Sequence, residues 1–98
     1  MIRSTFLALP LMLVAAPALA GAPLYRASLE KPAASRVIVK DLAWSCTGAD
    51  CAAPRTADAP DANVCTAVAR KLGRLVGFEA GGRAFEAAEL EKCNAAAR

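Results

Sequence analysis

The chain has 98 residues, 12 Lys and Arg against 9 Asp and Glu, four cysteines and no histidine. A net charge of +3 is far from the basic footprint of a nucleic-acid binder. The missing histidine removes imidazole acid–base chemistry and with it the Ser-His-Asp and Cys-His arrangements.

The first 20 residues read as a targeting segment. Arg3 supplies a positive start, Phe6 to Ala16 form an apolar run, and small Ala18 and Ala20 suit a signal-peptidase pocket. Cleavage is expected after Ala20, with Ala22 the second choice. The apolar run is shorter than the ~20 residues a membrane span needs, so no transmembrane span is expected after cleavage. Half of the apolar residues beyond Ala20 are alanines, which leaves a thin supply of core side chains. A chain this small is expected to need covalent ties, and an exported chain can form them.

Residues 21–35 read as a flexible N-terminal arm by their prolines and alanines. Residues 36–98 then form a single small disulfide-bonded domain. Arg36 to Cys46 reads as one strand, with Ile38, Leu42, Trp44 and Cys46 on one face and a bulge near Lys40-Asp41. Thr47-Gly48-Ala49-Asp50 closes a hairpin that brings Cys51 opposite Cys46 and Trp44 opposite Ala53.

Asp58, Pro60 and Asp61 open a helix, and Val64, Cys65, Val68, Leu72, Leu75 and Val76 recur at helical spacing up to a stop at Gly77. Phe78 to Phe85 reads as a second hairpin around Gly81-Gly82, with the two phenylalanines facing each other. Glu86 to about Ala95 reads as a second helix, acidic in its first turn. The expected class is α+β, a small disulfide-stapled domain of two hairpins and two helices in the order ββαββα.

Four cysteines allow three pairings. The hairpin register favours Cys46–Cys51, and the inner helix faces favour Cys65–Cys93. Loop-closure entropy assigns about 2 kcal/mol to the short loop and about 3.6 kcal/mol to the long one. A four-thiolate zinc site lacks its C-x2-C knuckle, so no metal and no cofactor is expected. Thiol–disulfide exchange through Cys46 and Cys51 lacks the two-residue spacing at a helix N-terminus that activates a thiol.

Among the other candidates, Arg70, Lys71 and Arg74 could meet an anionic surface, although a solvated helix face is the plainer reading. Trp44 is a candidate stacking platform, although a tryptophan beside a disulfide is more commonly core. Glu86 and Glu89 share a helix face, which a solvated first turn explains without catalysis. Gly81-Gly82 is a turn and not a phosphate loop.

Trp44-x-Cys46-x4-Cys51, then Phe78-x-Ala80-Gly81-Gly82, then Ala88-x-Leu90-x2-Cys93-Asn94 resembles a family of small exported four-cysteine proteins of alphaproteobacteria. The resemblance covers about Arg36 to Asn94. It implies export and fold, and carries over no catalytic residue. The expected protein is periplasmic or secreted, monomeric and non-catalytic, an envelope interaction or binding module whose partner would be an envelope protein or glycan. The rival expectations are a thiol–disulfide oxidoreductase using Cys46 and Cys51, and an anionic-surface binder using the basic helix face.

Overall fold

The computed structural model describes residues 24–98; the expected targeting segment and its expected cleavage site lie outside the described residues. Among the described residues six strands form one antiparallel sheet: β1 (Leu24–Leu29), β2 (Arg36–Val39), β3 (Leu42–Thr47), β4 (Asp50–Pro54), β5 (Leu75–Ala80) and β6 (Arg83–Ala84). Helices α1 (Asp61–Leu72) and α2 (Ala87–Asn94) complete the chain. The strand order across the sheet is β2-β3-β4-β1-β5-β6.

The α+β class and both expected disulfides, Cys46–Cys51 and Cys65–Cys93, are present. The chain order is ββββαββα, two strands richer than expected. One gain corrects the reading of residues 21–35 as an arm. Leu24–Leu29 lies in the middle of the sheet, between β4 and β5. Tyr25, Ala27 and Leu29 alternate inward while Arg26 and Ser28 alternate outward, the two-residue period of a strand with one covered face.

The other gain corrects the single strand over Arg36 to Cys46. Lys40 and Asp41 both take positive φ, 56° and 61°, and turn the chain back so that Val39 pairs with Leu42. Two positive φ values make a turn whose twist matches the flanking strands. The inward face of β2 and β3 is therefore Val37, Val39, Leu42, Trp44 and Cys46, and Ile38 points out.

The first helix ends earlier than its periodicity suggests. Gly73 at φ 101° donates its N–H to the Ala69 carbonyl and stops α1. Leu75 and Val76 belong to β5, where the register with β1 shifts between Ser28 and Leu29. That shift leaves Val76 as the extra residue of a bulge, so Leu75, Phe78 and Ala80 all reach the covered face. Gly81-Gly82 supplies the positive φ pair of the β5–β6 turn, and the Phe78 and Phe85 rings meet edge to face at 4.9 Å.

The core lies between this face of the sheet and the two helices. Trp44 and Tyr25 are its largest members, stacked at 5.9 Å between centroids, with Phe78 on the far side of Tyr25. The Trp44 indole N–H donates to the Val39 carbonyl at 3.3 Å, which ties the indole to its own hairpin. Cys65–Cys93 joins α1 to α2 beneath the surface. Glu86 and Glu89 form a capping box at the start of α2, and Glu89 also grips Arg83 through two hydrogen bonds of 3.2 and 3.1 Å. Those contacts lower the Glu89 pKa, the Arg83 hydrogen bonds contributing most and the Glu86 N–H next.

The sheet's two edges differ. On the β5 side, the Asn94 carboxamide accepts from the Leu75 N–H at 2.8 Å and donates to the Leu75 carbonyl at 2.9 Å. One buried side chain thus takes the place of a neighbouring strand where the short β6 does not reach. On the other side β2 has no neighbouring strand among the described residues.

Candidate functional site

The open edge of β2 borders a groove of about 440 Å3. Its strand side is Ile38, Val39 and Lys40; its helix side is Ala67, Arg70 and Lys71, with Arg98 closing one end. The floor is apolar and the rim is cationic. None of these lining residues is acidic, and none of the four cations takes part in an ion pair among the described residues. A smaller depression continues along the helix past Arg70 to Asn63 and Thr66.

Two of the four charges have an ordinary explanation. Arg70 and Lys71 sit in the last turn of α1, where cations complement the helix dipole. That account does not extend to Lys40, held on a strained turn of the facing hairpin, or to Arg98. Four exposed like charges around one apolar concavity give it a positive potential, screened by salt, that favours an anion.

The remaining sequence candidates fall elsewhere. Trp44 is fully buried and offers no platform to a ligand. Arg74 stands apart from Arg70 and Lys71: its guanidinium lies 3.5 Å from Glu91, on the side facing α2. Of the anticipated binding residues, the structure therefore keeps Arg70 and Lys71 together and adds Lys40 and Arg98. Arg98 has no sequence signal at all, and Lys40 is placed by a turn that its residue type does not announce.

Cys46 and Cys51 are 7% and 3% exposed and pair directly across β3 and β4. Their sulfurs lack both the access and the helix N-terminus that favour exchange. No cysteine is free, and no group of three metal-ligating side chains occurs among the described residues. No helix among the described residues is long and apolar enough to cross a membrane.

One buried polar atom is unexplained by the packing. The Tyr25 hydroxyl is buried close to the Asp61 carboxylate without a well-directed hydrogen bond to it, and burial first, then the Asp61 charge, raises its pKa. Asp61 itself is held by Arg55 through two hydrogen bonds of 3.1 and 2.9 Å. A second concavity of about 430 Å3 lies over Ser28 and Gly77, between Arg26, Asp50 and Glu79 and the apolar Phe85 and Leu90. Its charges are mixed and select no ligand class.

The model described as "Family of unknown function (DUF8200)" matches residues 9–95 of the chain. No curated protein and no solved structure matches it.

Proposed function

The chain belongs to that family of unknown function, and from its own surface we propose that it is an exported, non-catalytic binding module of the bacterial envelope. The observation that carries the reading is the groove between β2 and α1, where Lys40, Arg70, Lys71 and Arg98 surround an apolar floor with no acidic counterpart. An anionic partner with some apolar surface fits that chemistry. Export is supported by the two disulfides, which suit an oxidising compartment, and by the apolar run and small residues ahead of Gly21. The motif from Trp44 to Asn94 is taken as the family's signature, and the alphaproteobacterial envelope as its setting.

Catalysis has little to work with: no histidine, both disulfides buried, and the one carboxylate pair sharing a helix face, Glu86 and Glu89, committed to capping and to Arg83. The test is photocrosslinking from a benzophenone side chain placed at residue 67, inside the groove, in the envelope of an expressing bacterium. Defined adducts are expected, and they should be lost when Arg70→Glu and Lys71→Glu are combined. The same adducts from residue 79, on the outer face of β5 and four strands away from β2, would contradict the reading.

A further inference from the structure

The groove has a backbone wall as well as a charged rim. The Cys46 N–H donates to the Ser35 carbonyl at 2.9 Å, and this fixes the alternation along β2. Ser35, Val37 and Val39 turn their peptide groups toward β3, so Arg36 and Ile38 turn theirs toward the open edge. Ile38 is 53% exposed, one of two large apolar side chains left in water among the described residues. Beside that edge stands α1, whose Ala67, Arg70 and Lys71 form the facing wall. An edge strand beside a helix is a common receptor for an extended peptide, which gains main-chain hydrogen bonds from the strand and side-chain selection from the walls.

The opposite edge makes the contrast. There Asn94 satisfies both peptide groups of Leu75, which closes β5 at that position and leaves only the two-residue β6 as a strand at that end. Cations at an edge also guard against self-association. That explains why a second copy of this chain is a poor occupant: pairing β2 with β2 would bring the Arg36 and Lys40 cations of both copies together. It leaves an acidic strand as the complementary one.

Resting on the binding reading above, we propose that β2 receives an extended acidic segment of a partner protein as a seventh strand. The peptide groups of Arg36 and Ile38 pair with its backbone. Its carboxylates, on one side of the added strand, meet Lys40, Arg70, Lys71 and Arg98. Its alternate side chains are apolar and rest beside Ile38. Four residues of β2 at about 3.3 Å each span roughly 13 Å, enough to pair with a segment of about four residues.

The probe is a fluorescein-labelled, end-capped Glu-Val-Glu-Val-Glu-Val peptide, followed by fluorescence anisotropy with the disulfide-bonded protein. Binding is expected and should weaken with added salt. It should fall at least roughly tenfold, about 1.4 kcal/mol, in the Arg70→Glu/Lys71→Glu double variant. A similar fall is expected in Ile38→Pro, which removes an N–H that the sheet itself does not use.

Two N-methylated versions of the probe, one blocked at its Glu amides and one at its Val amides, leave the protein untouched should Ile38→Pro fail to fold. One frame should lose binding and the other keep it, because only alternate amides of an added strand face β2. Equal binding by both frames overturns strand addition. So does binding of phosphatidylglycerol-containing vesicles through Arg70 and Lys71 with no binding of the peptide, which would make the groove a headgroup site. In either case charge-dependent adducts from residue 67 would still uphold the groove as the binding face.

Discussion

Replacing Asn94 with alanine isolates the device that closes the β5 edge. The Asn94 carboxamide accepts from Leu75 N–H at 2.8 Å and donates to its carbonyl at 2.9 Å, and both residues are buried. Removing it strands one donor and one acceptor, each costing about 1–3 kcal/mol when left unmade. The amide no longer has to be desolvated, so the net loss is roughly 2–4 kcal/mol. In a domain of this size each kcal/mol moves the melting temperature by about 4–8 °C. Urea and thermal unfolding followed by circular dichroism would read this directly. Asn94→Asp supplies the sign. A protonated acid can still accept from Leu75 N–H and donate to its carbonyl, whereas the carboxylate faces that carbonyl with nothing to donate. The folded-state pKa of this aspartate is therefore raised above the unfolded value of about 3.9, so stability is greatest below that pH and is lost as pH rises. A cost below about 0.5 kcal/mol in Asn94→Ala, or an Asn94→Asp protein no more stable in acid, would refute the reasoning; water would then be serving Leu75 equally well.

Other outcomes follow from the same structure. Cys65→Ala should lower the urea midpoint more than Cys51→Ala, since the loops span 28 and 5 positions and closure is worth about 3.6 against about 2 kcal/mol; equal losses would count against the entropic account. Combining Lys40→Asn with Asp41→Gly should add about 1 kcal/mol, because positive φ at both positions suits Asn-Gly and burdens the native pair. An unchanged unfolding midpoint would mean the turn is not strained. Glu89 has a folded-state pKa below its ordinary 4.5, so its contribution is present above that pH and is lost as pH falls through the lowered value. Glu89→Gln should flatten that acid limb of a stability–pH curve, and an unaltered limb would place the effect elsewhere.

Local signals in the sequence were enough for the contacts between near neighbours. A two-residue turn with glycine first sets Cys46 opposite Cys51, and Gly81-Gly82 does the same for Phe78 and Phe85. Cys65–Cys93 was legible because two amphipathic helices each leave one cysteine on the inner face. Strand β1 was not, although Tyr25, Ala27 and Leu29 alternate correctly. Alanine is a weak strand former, and the partners of β1 lie more than 20 residues away, where no local pattern can point to them. Lys40-Asp41 hid a reversal because neither residue is the glycine or asparagine such a turn prefers. The helix ran past its end on paper because Leu75 and Val76 continue the spacing set by Leu72, while in the fold a bulge puts them to use in a strand. For the groove, Arg70 and Lys71 could be found on one helix face. Lys40 and Arg98 join them only through tertiary packing, and Arg74, close in sequence, is turned toward Glu91.

Asn94 caps the sheet at Leu75 on one side, β2 is open among the described residues on the other, and the proposed function places binding at that open edge. Amide hydrogen exchange by NMR, residue by residue, tests it most directly. The Leu75 amide should be strongly protected and the Arg36 and Ile38 amides fast, with the latter two slowing when the alternating Glu-Val peptide is added. A fast Leu75, or Arg36 and Ile38 amides already slow and indifferent to the peptide, would contradict it.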